Sequence, residues 1–140
     1  MPEVRRADVS DAPITVEDVR ALASDPSAGA VVTFAGDVRD HDHGRSVARL
    51  EYEGHPTAEA VLAEVAHEVA ARHDVIAIAV SHRIGALQIG DSALVAAVSA
   101  AHRGEAFAAC ADLVDEVKHR LPVWKHQVFS DGSDEWVNCA

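Results

Sequence analysis

At 140 residues the chain has the length of one domain, and with 49% hydrophobic residues it can bury a core of its own. It contains no apolar run of membrane-spanning length, and its start, Met-Pro-Glu-Val-Arg-Arg, lacks the apolar centre of a secretory signal, so a soluble cytoplasmic protein is expected. The formal net charge of -11 argues against nucleic acid or an anionic membrane as the main partner, because neither gains counterion release from so acidic a chain.

In chain order, residues Val4 to Val9 predict a first strand. Thr15 with Asp18 resembles a capping box opening a helix that ends before Asp25-Pro26. Ala28 to Arg39, rich in Val, Thr and Phe, predicts a strand, and Gly36 within it marks a bulge or a close backbone approach. A polar loop from Asp40 to Arg45 leads to a strand over Val47 to Glu53, in which Leu50 and Tyr52 share one face. The two strands are expected to form an antiparallel pair with one wet face.

Between Pro56 and His73, the apolar residues Ala58, Val61, Leu62, Val65, Ala66, Val69 and Ala70 recur at helical spacing. Val75 to Val80, Leu87 to Ile89 and Ala93 to Ser99 have strand character, with Gly85 and Gly90-Asp91 as turns; His82-Arg83 is expected to end its strand at the surface. A further helix runs from about Glu105 to Arg120, with a core stripe of Ala106, Phe107, Cys110, Leu113, Val114, Val117 and Leu121, and Pro122 ends it. Val123 to Val137 predicts two strands about the turn Ser130-Asp131-Gly132-Ser133. Short connections between strands favour antiparallel pairing, so the fold class is α+β, as one domain over residues 1 to 140.

Cys110 and Cys139 match no metal or redox spacing. The His-x-His of Asp40-His41-Asp42-His43 has no third ligand at a recognisable spacing and is read as a solvated hairpin tip, so no metal and no cofactor are expected. The segment Lys118-His119-Arg120-Leu121-Pro122-Val123-Trp124-Lys125 sets two lysines either side of a helix-ending proline. Two ammonium groups held in one pocket disfavour each other's protonation, which suits a base or nucleophile. Lys118 falls about 20° outside the apolar stripe, at the border of core and solvent, where an exposed lysine paired with Asp115 is the plainer reading. Lys125 shares a strand face with Gln127, and a lysine on an edge strand commonly guards against aggregation. His102 and Arg103 stand at a helix start, near free backbone N–H groups, and Arg39 follows a glycine at a strand end; both placements suit an anion.

Six segments together resemble the large, catalytic subunit of molybdopterin synthase, the MoaE family: Gly29 to Arg39, Leu50 to Glu53, His82 to Gly90, Val98 to Cys110, Lys118 to Lys125 and Asp131 to Val137. They stand in the family's order over about residues 28 to 137. The resemblance implies an α/β hammerhead fold with antiparallel sheet and about three helices, and a homodimer that binds two copies of a small ubiquitin-like sulfur-carrier subunit in a heterotetramer. It further implies a sulfurtransferase that converts cyclic pyranopterin monophosphate to molybdopterin with the carrier's C-terminal thiocarboxylate. By the same resemblance Lys118 and Lys125 are catalytic, and Phe34, Asp37, Val38, Arg39, His102, Arg103, His126 and Gln127 bind substrate. Relatives often carry glutamate where this chain has Gln127, which removes an anionic neighbour of Lys125. The rival reading is a non-catalytic module of the same fold that docks a ubiquitin-like tail.

Overall fold

The computed structural model describes residues 1–138; Cys139 lies outside the described residues. The elements run β1 (Glu3–Ser10), α1 (Val16–Ala23), β2 (Ala30–Asp37), β3 (His41–Asp42), β4 (Arg45–Gly54), α2 (Ala58–Arg72), β5 (Ala77–Arg83), β6 (Gly85–Leu87), β7 (Ser92–Ala100), α3 (Arg103–Arg120), β8 (Val123–Phe129) and β9 (Asp134–Asn138). The α+β class holds, with three helices over largely antiparallel sheets.

Two sheets organise the molecule. The first has the order β1-β5-β7-β2, and the second has the order β3-β4-β8-β9 with β6 added to β4. Pairing is antiparallel except between β1 and β5, which run parallel because a long excursion through α1, β2, β4 and α2 separates them in the chain. Buried Val19 and Ala23 of α1 pack with Ala79, Val95 and Ala97 on one face of the first sheet. The opposite face, carrying Ile78, Val80, Ala96 and Val98, packs against α2 and α3 in the main core, which also takes in Leu50, Tyr52 and Val123 from the second sheet. The main core therefore spans the gap between the sheets.

Local signals act as the sequence implies at several places. Thr15 Oγ1 accepts from the Asp18 backbone N–H at 3.2 Å and caps α1. The register of β2 against β7 shifts between Gly36 and Asp37, so a bulge sits at the glycine. The hairpin tip takes its φ > 0 residues at His43 and Gly44.

Other expectations are corrected. The strands holding Phe34 and Leu50 do not pair with each other: β2 lies against β7 and β4 against β8, in separate sheets, and the hairpin partner of β4 is the short β3. The strand expected over Leu87 to Ile89 is instead Gly85–Leu87, and Ile89 is exposed. Phe107 is 60% exposed, because the core side of α3 is set by Ala106, Ala109, Cys110, Leu113 and Val117. His82 does not reach the surface: it continues the inward alternation of Ile78 and Val80 and is fully buried. Finally, β8 is an interior strand between β4 and β9, so Lys125 is not an edge residue.

Candidate active site

The cleft lies where the two sheets meet. Gly36, Asp37, Arg39, Tyr52, His82, Ala93, Leu94, Lys118 and Lys125 line a space of about 350 Å³. A smaller recess of about 60 Å³ adjoins it, sharing Asp37, Arg39, Tyr52 and Lys125 and adding Val38, Asp42 and Gln127.

Each cation arrives on a different element. Lys118 is in the last turn of α3, anchored by buried Val117 and Leu121, and Pro122 follows as the chain turns into β8. Lys125 lies two residues into β8 with its side chain on the inner face, where the register sets it opposite Tyr52 and sets Gln127 opposite Leu50. The reversal at Leu121-Pro122 thus brings the two lysines of one short segment to the same space. Arg39 follows the Gly36 bulge, where hydrogen bonds from Val38 N–H to Asp91 O and from Gly90 N–H to Val38 O, both 2.9 Å, fix the segment. Asp37 is held by the Ser92 hydroxyl at 2.7 Å.

Two acids temper the positive set. Asp42 has its carboxyl held below the usual carboxylate range chiefly by a hydrogen bond from Gln127, against the opposing effect of burial, with His43, Lys125 and Arg39 adding positive charge. The anionic neighbour of Lys125 that Gln127 does not provide comes instead from Asp42 on the β3 hairpin. Asp37 is the second acid lining the cleft.

His82 is the neutral member. Burial pushes its pKa down to about 4, with the Lys118 charge acting in the same direction and its bond to Arg83 O opposing. Its Nδ1 lies 2.8 Å from Arg83 O and so carries the proton as donor. Nε2 is then a bare lone pair, and it is buried with no hydrogen-bond partner among the described residues. Tyr52 packs edge-on against the imidazole at 5.0 Å between centroids. Tyr52, His82 and Asp42 were absent from the expected site; the period-2 pattern of β5 was the signal for His82.

Not every expected residue joins this cleft. Asp37, Val38, Arg39, Gln127 and both lysines line it or its recess. His126 faces the other side of the second sheet, beside Arg49, Glu51 and Val128, stacks on Trp136 at 4.4 Å and lies 2.7 Å from Asp134 Oδ2. Phe34 borders a surface with Phe107, Cys110 and Val114; the bulge does not bring its ring among the residues lining the cleft. It touches the site only through Gly36, whose missing Cβ would stand 3.2 Å from the ring. His102 and Arg103 are exposed at the start of α3, fifteen residues from Lys118, which is roughly 22 Å along the helix.

Buried Cys110 has its thiol pushed up to about 11 by burial and offers no nucleophile. Among the described residues no group of three or more His, Cys, Asp or Glu side chains is placed to hold a metal ion.

The model of the family described as MoaE protein matches residues 9–120. The molybdopterin synthase catalytic subunit of Nostoc sp. is 38% identical over 132 residues, spanning 93% of this chain and 80% of that protein. The crystal structure of molybdopterin synthase from Staphylococcus aureus superposes with a TM-score of 0.85 at 35% identity, covering 93% of this chain and 95% of that one. A protein-protein complex of subunits 1 and 2 of molybdopterin-converting factor from Helicobacter pylori shares the fold, with a TM-score of 0.63 at 20% identity over 87% of this chain and 76% of that chain.

Proposed function

The chain belongs to the MoaE family and is an enzyme of molybdopterin synthesis in molybdenum cofactor biosynthesis, and from that membership we propose the step its cleft performs. The cleft takes sulfur from the C-terminal thiocarboxylate of a small ubiquitin-like carrier subunit and passes it to cyclic pyranopterin monophosphate. The observation that carries this reading is the convergence of Lys118, Lys125 and Arg39 on one cleft of about 350 Å³ in a protein of formal net charge -11. An anionic donor tail and a phosphate-bearing acceptor both need cations, and the negative charge that develops during acyl transfer needs donors fixed in advance.

Lys118 orients the thiocarboxylate and stabilises the acyl-transfer intermediate, while Lys125 anchors the substrate or moves a proton. Each transfer forms a C–S bond at a pterin side-chain carbon as an oxygen substituent leaves that carbon, and water then cleaves the acyl C–S bond, leaving a carboxylate on the carrier and the sulfur on the pterin. The H. pylori assembly pairs two subunits on this fold, and the arrangement proposed here is a homodimer with two carriers. His102 and Arg103 lie too far along α3 to reach their own protomer's Lys118, so any part they play in binding the substrate phosphate comes from the second copy. The cytoplasm is the proposed compartment; among the described residues no helix is long and apolar enough to cross a membrane.

The test is sulfur transfer from a thiocarboxylated carrier by Lys118→Ala and Lys125→Ala proteins. Loss of product with the fold intact is expected in each. Full yield from both would remove the lysine pair from the mechanism and leave the docking module, which needs a positive groove but no chemistry.

A further inference from the structure

The geometry points to Asp42 as a positioning residue of the lysine cleft: its carboxylate holds Arg39 and faces Lys125, and Gln127 fixes it in place. The inference rests on the sulfur-transfer reading of that cleft.

Asp42 lies in the two-residue strand β3, and its side chain is only 13% exposed. One carboxylate oxygen, Oδ1, is 3.4 Å from the Arg39 guanidinium and 3.7 Å from His43 Nε2. The other, Oδ2, accepts from Gln127 Nε2 at 2.7 Å. Gln127 is itself buried, and the same Nε2 donates at 2.9 Å to Glu135 Oε1 on β9. A primary amide has two N–H groups, and here each goes to a carboxylate. The neutral amide therefore spaces two anions that would otherwise repel, and it aims one of them into the recess.

The recess around Asp42 is lined by Asp37 at the end of β2, Arg39 just beyond it, His41 on Asp42's own strand, Tyr52 on β4 and Lys125 on β8. Of these, Arg39 and Lys125 are permanently suited to attract it. A carboxylate at this point does two things for the cleft. It restrains the long Arg39 side chain, which would otherwise swing in solvent, and it keeps an opposite charge beside Lys125 that draws the lysine's amine towards the recess. Neither task requires Asp42 to touch substrate.

The substitution that separates charge from shape is Asp42→Asn, because an asparagine oxygen still accepts from Gln127 and the side chain keeps its volume. With wild-type protein, a thiocarboxylated carrier and cyclic pyranopterin monophosphate, Asp42→Asn is expected to lower kcat/KM about tenfold with little change in melting temperature. The triple variant D42N/Q127E/E135Q reverses donor and acceptor across both hydrogen bonds and places the carboxylate at 127, on the same strand face as Lys125. It is expected to recover most of the lost rate. Wild-type activity in Asp42→Asn overturns the assignment, and so does a folded triple variant no faster than Asp42→Asn. Should Asp42→Asn melt early, the folded triple variant decides the question alone. An inactive wild-type protein would instead refute the sulfur-transfer reading, so the two failures are distinct.

Discussion

Tyr52 on β4 stands directly across the antiparallel ladder from Lys125 on β8, and both line the same cleft. The ring also packs edge-on against His82, so one side chain borders Lys125 on one side and the buried imidazole on the other. Tyr52→Phe keeps the ring and is expected to fold normally while slowing sulfur transfer. Tyr52→Ala opens a hole at a residue 8% exposed and is expected to cost about 3–5 kcal/mol. Urea unfolding beside the transfer assay separates the two effects; equal activity in Tyr52→Phe would mean that the hydroxyl has no part in the site.

His82 gives the protein a sensitivity to acid. Its folded pKa is near 4 and its unfolded value near 6.5. Between these values the unfolded chain binds a proton that the native chain refuses, so stability is full above about pH 6.5, falls as pH drops towards 4 and is level below it. The loss amounts to about 3 kcal/mol. A His82→Gln protein lacks this proton, so the stability difference between it and wild type should shift in its favour by that amount between pH 7 and pH 4. A constant difference across the range would show that His82 ionises freely in the folded state.

Gly29 precedes β2 where the chain passes close to Ala101. A Cβ there would lie 2.3 Å from the Ala101 carbonyl oxygen, a backbone atom that cannot step aside cheaply. Gly29→Ala is therefore expected to destabilise by about 1–3 kcal/mol, read as a lower urea midpoint with the slope unchanged. An unaltered midpoint would mean that the entry to β2 is more pliable than its contacts imply.

The distance between the ends of α3 predicts the outcome of mixing subunits. If Arg103 serves a neighbour's cleft, Lys118→Ala and Arg103→Ala proteins, each inactive alone, regain partial activity when dissociated and reassociated together, because one cleft of each mixed dimer then has both groups intact. No recovery, with mixed dimers verified by mass, would assign Arg103 elsewhere.

Much of the fold was legible because its signals are local. The Thr15 cap, the stripe of α2, the stop at Pro122 and the bulge at Gly36 each depend on residues within a turn or two of one another. Pairing was less legible. Nothing near Phe34 states that its strand will lie beside β7 rather than β4, since that choice is made by distant segments competing for the same edge. The same division runs through the site: the lysine pair shares eight residues of chain and could be read as a unit, whereas Asp42 is 83 residues from Lys125 and only folding brings them together. Phe107 and His82 were misjudged in opposite directions. A helix with many alanines leaves its apolar stripe poorly defined, and a polar side chain in a strand was judged by its type rather than by its parity.

The cleft belongs to neither sheet. Lys118 comes on a helix packed over the first, and Lys125 is part of the second, so the gap between the two amines is set by how the halves sit against each other across the shared core. Activity is then a gauge of that alignment. Damage to core residues at the junction, such as Leu50 or Val123, should silence the enzyme while its helices and ladders still read as native by circular dichroism, and a partner that braces the junction should raise turnover without touching either lysine.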